Sequence, residues 1–108
     1  MVRKFEGEAS WNSPNRRGAV RVTCLVRSDD DVVLEFTWND RRYTVSVKHS
    51  GERMYVGQYE ARKGSEITRS KAGCYLTYVE GGLELKGIFN ENGFDYEWYG
   101  QLDEMTAE

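Results

Sequence analysis

The sequence predicts an all-β domain, an antiparallel up-and-down meander of about eight strands closed into a barrel. Three observations support this prediction. Apolar and polar residues alternate with period two in almost every segment, and no helical stripe is sustained. The connections between these segments are short and rich in Gly, Asn, Asp and Ser. Each strand has one apolar face, and pairing the first strand with the last removes the two exposed edges of an open sheet.

The composition fits one globular domain. The chain has 108 residues, of which 39% are hydrophobic and 13% aromatic, with one proline and eleven glycines. A chain of this length buries roughly two-thirds of the surface that it exposes when unfolded. We therefore expect a single β-barrel domain over residues 1–108, in which residues 103–108 form a flexible acidic tail.

The N-terminal half contains four alternating stripes, which run over residues 5–11, 20–26, 32–38 and 43–47. The segments between them, 13–18, 28–31 and 39–40, are predicted loops and turns. Asn39 and Asp40 suit a two-residue hairpin because both residue types tolerate left-handed backbone geometry.

The C-terminal half contains four more stripes, over residues 55–61, 74–79, 83–89 and 94–102. The Asn92-Gly93 pair between the last two is the strongest short hairpin signal in the chain. Residues 66–72 have only Ile67 as a clearly apolar residue, so a ninth strand there is left open. In 74–79 the two alternating sets are almost equally apolar, and the sequence does not decide which set faces inward.

An immunoglobulin-like β-sandwich is the alternative fold. The segment from Gly18 to Cys24, followed by Phe36-Thr37-Trp38, resembles strands B and C of an immunoglobulin domain. The third landmark of that family is absent, because the expected Tyr two residues before the second Cys is missing and Tyr75 follows Cys74 instead. Short hairpins and scarce proline also favour the meander.

A repeated aromatic-x-Gly pattern resembles strands of the calycin-like barrels, the lipocalin and avidin group. It occurs as Tyr55-x-Gly57-x-Tyr59, Leu85-x-Gly87-x-Phe89 and Trp98-x-Gly100-x-Leu102. The resemblance covers the C-terminal half and lacks the N-terminal Gly-x-Trp signature of lipocalins. It therefore implies an architecture and no specific family.

The interior of an eight-stranded barrel is either filled by side chains or able to hold one small ligand. Small residues on the predicted inner face leave volume there, namely Gly7, Ala9, Gly57, Ala61, Gly87 and Gly100. Large aromatic rings either pack onto these residues or line a pocket. The leading hypothesis is a non-enzymatic barrel that binds a small apolar or aromatic ligand, lined by Tyr55, Tyr59, Tyr96, Trp98, Trp38 and Phe89.

The alternative function is a filled barrel that serves as a structural or protein-interaction module, for which a homodimer is one form. Its motivation is the apolar content of the predicted outer face, at Leu25, Val33, Met54, Val56, Ile88 and Tyr99. Such residues mark an interface if they form one continuous patch. The sequence does not decide whether they do.

No motif for catalysis, a metal or a cofactor stands out, so an enzyme is not favoured. His49 lies in a predicted turn without an orienting acid. Cys24 and Cys74, fifty residues apart, match no zinc-site spacing, and we expect them to be reduced, buried and hydrophobic in character. Asp95 and Glu97 are predicted on the outer face, which argues against a pair of catalytic carboxylates.

The charge and hydropathy patterns bear on partners and location. A net charge of −3 argues against a general nucleic-acid binder, although a ring of basic residues is predicted near the turns at Arg16, Arg17, Arg41, Arg42, Arg62 and Lys63. No apolar run has the length of a membrane-spanning helix, and no signal peptide is recognisable. A cytoplasmic location is the resulting expectation.

Overall fold

Eight strands form a closed antiparallel barrel in the computed structural model, and each strand pairs with its neighbours in sequence. The structure describes residues 2–13, 16–28, 31–38, 40–91 and 94–105; at 11–13, 16–17, 89–91 and 94–96 it describes the backbone only. The strands are β1 (Arg3–Ser13), β2 (Arg16–Ser28), β3 (Asp31–Trp38), β4 (Arg41–Gly51), β5 (Met54–Lys63), β6 (Glu66–Val79), β7 (Gly82–Glu91) and β8 (Phe94–Glu104).

The meander prediction is confirmed, and the immunoglobulin-like alternative is wrong. Strand β8 returns to pair antiparallel with β1, from Phe5 opposite Glu104 to Asn12 opposite Glu97. A sandwich would separate the strands into two sheets, whereas here one ladder runs continuously around the barrel. Closure satisfies the backbone groups that an open sheet would leave exposed at its two edges.

No ninth strand exists among the described residues. Ile67 is part of β6, which is 14 residues long, and it pairs with Arg62 of β5. The same strand settles the undecided alternation, since Cys74 and Leu76 are buried and Tyr75 is exposed. Long-range pairing with β5 therefore supplies what the local pattern of residues 66–72 lacked.

Several predicted connections are shorter than expected. The loop predicted at 13–18 is wrong at its edges, because β1 extends to Ser13 and β2 begins at Arg16. Asp40 has the left-handed backbone expected of the hairpin, with φ 63°, whereas Asn39 and the Asn92-Gly93 pair lie outside the described residues. Asp103 and Glu104, assigned to the tail from sequence, lie in β8; residues 106–108 are outside the described part.

The core fills the inside of the barrel. Each strand contributes alternate side chains to it, as the period-two stripes predict. The most deeply buried large side chains are Phe5, Val22, Val32, Leu34, Tyr43, Val47, Tyr59, Leu76, Leu83 and Leu102. They come from all eight strands, so every strand is fixed in the barrel by its own apolar face.

A bidentate ion pair joins β1 to β8 where the barrel closes. Arg3 donates from Nε to Glu104 Oε2 at 2.7 Å and from Nη2 to Oε1 at 2.9 Å. The Arg3 guanidinium also lies 5.1 Å from the centre of the Phe5 ring and 5.3 Å from that of Tyr78. The hydrogen bonds from Arg3 hold the pKa of Glu104 below its ordinary value.

Acid should remove the stabilising effect of this ion pair. Because the pKa of Glu104 is lower in the folded state, its contribution is fully present above the unfolded value of about 4.3 and is lost as the pH falls through the folded pKa. We expect Glu104→Gln to lower the urea unfolding midpoint at neutral pH, and the gap to the wild type to close below about pH 4. Arg3→Met should show the same acid-sensitive loss together with a loss that persists in acid, because it also removes the contacts of Arg3 with the Phe5 and Tyr78 rings. A gap for Glu104→Gln that persisted in acid would contradict this account.

Candidate functional site

The structure places the six predicted ligand-lining residues unequally. Tyr55, Tyr59 and Trp98 are buried on the inner face, and Trp38 is half-buried and packed against the core. Phe89 and Tyr96 pair with each other on β7 and β8, but their side chains lie outside the described part of the structure. Burial inside the barrel is what either a pocket lining or a packed core would require.

Aromatic rings form a continuous series across the interior. The rings of Phe36 and Tyr43 are stacked with centroids 4.8 Å apart. Tyr43 lies 5.8 Å from Tyr59, and Phe36 lies 6.0 Å from Trp98. These separations fall within the range of favourable ring contacts, so these four side chains pack against one another.

Gly87 makes room for the Trp98 ring. The two residues lie opposite each other on β7 and β8, and a Cβ placed on Gly87 would overlap Nε1 and Cε2 of the indole. Trp98 itself is 2% exposed. The space that a glycine leaves on this part of the inner face is therefore occupied by a side chain of the protein.

Other inward glycines permit close approach of neighbouring strands. A Cβ on Gly57 would overlap the carbonyl oxygen of Ser46 and lie 2.9 Å from Cα of Val47. A Cβ on Gly7 would overlap the backbone of β8 in the same way, while one on Gly100 would lie 3.1 Å from Cβ of Ala9. The small residues thus serve the tight coiling of the barrel.

The two cysteines face into the barrel and are not joined in a disulfide. Burial raises the pKa of Cys24 and of Cys74 to about 12. Both thiols are therefore protonated at neutral pH, and the thiolate is the reactive form. Their environment suits small hydrophobic side chains.

The only histidine of the chain lies inside β4, close to the end of the strand, and not in the turn predicted for it. His49 Nε2 lies 2.6 Å from the carbonyl oxygen of Glu52, to which an Nε2–H donates, and its ring centre is 5.2 Å from that of Tyr55. These contacts join the end of β4 to the start of β5. Within the part of the chain that the structure describes, no group of three or more His, Cys, Asp or Glu residues is arranged to hold a metal ion.

In an eight-stranded meander the turns after β1, β3 and β5 lie at the same end of the barrel. The basic residues near these turns therefore lie at one end. An acidic side chain accompanies Arg62, whose Nε lies 2.9 Å from Glu60; Glu60 also pairs with Arg69 at 2.9 Å. Arg42 lies 3.5 Å from Glu35. The side chains of Arg16 and Arg17 are outside the described part. These ion pairs reduce the positive field that a nucleic-acid partner would require.

An exposed apolar surface covers the outside of β5 to β8. We call it the outer strip; its members are 38–50% exposed and comprise Met54, Val56, Tyr75, Ile88 and Tyr99. Sequence patterning found four of the five. It missed Tyr75 because the inward set of residues 74–79 was undecided until β6 was paired with both neighbours.

The other two predicted outer residues do not belong to this surface. Leu25 and Val33 lie opposite each other on β2 and β3. Val33 is buried and Leu25 is half-buried. The outer apolar residues are thus divided between one exposed strip and one covered pair.

Strand register arranges the outer strip in two neighbouring rows. Met54, Tyr75, Lys86 and Tyr99 are successive partners across four strands, and we call them the tyrosine row. On each strand, the residue two positions away from the tyrosine row belongs to a second row, which we call the glycine row; it consists of Val56, Gly73, Ile88 and Glu97. Side chains two apart on a strand point to the same face, so both rows face outward.

An open cleft of about 1040 Å³ lies on the outer face of the barrel; its lining includes Tyr75 and Tyr99 and extends across β1 to Ala19 of β2. Charged residues of both signs also line it, namely Glu8, Arg53, Glu84 and Lys86. Lys86 Nζ lies 5.8 Å from the centre of the Tyr99 ring, and the Tyr99 hydroxyl donates to Glu97 at 3.3 Å. An aromatic surface with charges beside it is a composition typical of protein interfaces.

Comparison with known proteins identifies a fold and no family. No protein family matches the sequence, and neither does any curated protein. The described residues contain no helix long and apolar enough to span a membrane. Among solved structures, the chain resembles isotype 1 transferrin binding protein B from serogroup B Neisseria meningitidis, with a TM-score of 0.61 and 10% identity over 97% of this chain and 26% of that one.

A second similar structure is the vaccine antigen transferrin binding protein B from Haemophilus parasuis Hp5. It matches with a TM-score of 0.61 and 9% identity, over 98% of this chain and 27% of that one. The chain thus spans about a quarter of the length of either protein. At this identity the likeness is one of fold: the chain is a closed eight-stranded antiparallel β-barrel.

Proposed function

We propose that this barrel is a non-catalytic protein-interaction module, whose interior is a packed core and whose binding surface is the outer strip. The observation that carries the proposal is the contrast between the two faces of the same four strands. Inside, Trp98 occupies the space left by Gly87. Outside, five large apolar side chains remain exposed next to one another.

A connected group of exposed apolar residues indicates a binding surface, whereas single scattered ones do not. The largest apolar patch on an ordinary monomer measures roughly 300–600 Å² and often has a function. Two of the five side chains are tyrosines, which bury a large area while losing little conformational entropy and are enriched at binding hot spots. The outer strip therefore has the composition of a contact surface.

A small ligand inside the barrel remains the competing proposal. It would require Trp98 to leave Gly87, or a space beside the side chains of Phe89 and Tyr96. Native mass spectrometry of the freshly purified protein, compared with its denatured mass, tests it. We expect no reproducible excess mass of small-molecule size; such an excess would favour the interior site over the outer strip.

We also infer that the barrel is calycin-like. The meander topology supports this classification, and so do the strands with the aromatic-x-Gly pattern, two of which pack together through Trp98 and Gly87. The similar solved structures are named for binding a protein, transferrin. That name supports the general idea that such a barrel carries a protein-binding surface.

Selection from a random peptide display library tests the outer strip without a known partner. The protein is immobilised at low density, and peptides that bind the wild type are enriched. We expect these peptides to bind the double variant Tyr75→Ser/Tyr99→Ser at least tenfold more weakly, since a single hot-spot residue has an effect of that size. Ile67→Ser is the matched control, because Ile67 and Tyr75 are both 46% exposed on β6 and Ile67 lies outside the strip. Peptides that bind the double variant and wild type equally would refute the proposed surface.

A further inference from the structure

We propose that the outer strip binds a second copy of this chain, in a reversible two-fold dimer; this inference rests on the proposed function. The two-fold axis lies in the plane of contact and crosses the strands between the tyrosine row and the glycine row. This operation places the tyrosine row of each copy against the glycine row of the other. Tyr75 then covers Gly73 of the second copy, and Met54 covers Val56.

Gly73 is the first observation that supports this arrangement. It is the one glycine of the glycine row, and a Cβ built on it would meet only the carbonyl oxygen of Tyr55, at 3.7 Å. That distance is an ordinary contact, in contrast to the overlaps at Gly57 and Gly87. Packing within the chain thus gives no reason for a glycine there, whereas close approach of another molecule is a common reason for a glycine inside a strand.

Charge complementarity is the second observation. Lys86 belongs to the tyrosine row and Glu97 to the glycine row, on adjacent strands. The two-fold rotation places Glu97 of the second copy over Tyr99 of the first. Glu97 then lies beside Lys86, because Lys86 and Tyr99 of one copy are partners on adjacent strands. The two-fold repeats this pairing, so one dimer has two such ion pairs. A surface of a single charge would instead repel its own copy.

The topology and the exposed area define the kind of dimer. All eight strands are paired, so no edge is available for adding a strand, and the contact must form face to face. The five side chains of the strip expose an apolar area on the order of a few hundred Å². A standard interface buries about 800 Å² on each partner, so flanking polar residues must contribute and a dissociation constant in the micromolar range is expected.

Sedimentation velocity over a concentration series tests the dimer. We expect the wild type to shift with concentration from the mass of the 12.5 kDa chain towards twice that mass. Gly73→Gln should weaken dimerisation about thirtyfold or more and leave the melting temperature nearly unchanged, because the side chain enters open space in the monomer. Ile67→Ser, outside the strip, should dimerise as the wild type does.

A charge exchange tests the predicted pairing itself. Lys86→Glu and Glu97→Lys should each weaken the dimer, because each places like charges together, and the double variant should recover most of the wild-type affinity. A wild type that stays monomeric at near-millimolar concentration would overturn the dimer. So would a dimer that is insensitive to Gly73→Gln, or a double charge variant that is no better than the single ones.

The dimer and the proposed function can fail separately. If the chain is monomeric while selected peptides still require Tyr75 and Tyr99, the dimer is refuted and the strip binds a different protein. If the peptides also ignore these two residues, the interaction module is refuted as well.

Discussion

Replacing Trp98 with alanine should lower the free energy of unfolding by about 3–5 kcal/mol, the range for removing a large aromatic side chain from a core. Trp98 is almost fully buried and lies against Gly87 and the ring of Phe36. Its removal leaves a cavity that the strand backbones cannot close, because they are fixed by hydrogen bonds on both sides. Urea unfolding followed by circular dichroism measures the loss.

The same variant should acquire a ligand site that the wild type lacks. An apolar cavity created by truncation stays dry and binds small aromatic molecules, so indole should raise the melting temperature of Trp98→Ala in proportion to its binding. We expect no such rise for the wild type. Equal stabilisation of both proteins by indole would mean that an interior site exists beside Trp98.

Gly87 supplies the matching half of this test. Gly87→Ala should be destabilising by about 1–3 kcal/mol or more, because its methyl group would overlap the indole. In the Trp98→Ala background the same change should have little effect, since the clashing ring is absent. A double-mutant cycle measures this coupling, and additive effects would contradict the packing of Trp98 on Gly87.

The second large effect is expected at Gly57, where the obstacle is backbone. A Cβ there would overlap the Ser46 carbonyl and lie 2.9 Å from Cα of Val47, so β4 and β5 would have to move apart. Gly57→Ala should lower the free energy of unfolding by about 1–3 kcal/mol or more. Unlike the clash at Gly87, no change at Trp98 should relieve it.

Gly73 on the neighbouring strand is the matched control for Gly57. Both glycines lie inside strands, and Gly57 pairs with Ala72, the residue next to Gly73. Gly73→Ala should be neutral or stabilising by about 0.5–1 kcal/mol, because alanine loses less backbone entropy than glycine on folding. Equal losses for Gly57→Ala and Gly73→Ala would show that the close approach at Gly57 does not govern its stability.

The sequence by itself determined the all-β class, the sequential order of eight strands and most of their inward faces, but it left a ninth strand near Ile67 open. Period-two alternation is a local property, because each stripe such as residues 94–102 must bury one face wherever it is placed. Short connections then leave sequential antiparallel pairing as the economical topology. Residues 66–72 were unreadable because β6 gains its stability there from pairing with β5, which no local pattern records.

Only the tertiary structure decided how the interior and the outer surface are used. The alternation places Gly87 and Trp98 on the inner face, but whether the ring fills the space above the glycine or turns away depends on register and side-chain packing together. The outer strip is likewise divided among four strands, and it became continuous only when β6 placed Tyr75 between Met54 and Lys86. The physical reason is that alternation along a strand is set by its own residues, whereas contacts between strands depend on their relative register, which the whole closed barrel fixes.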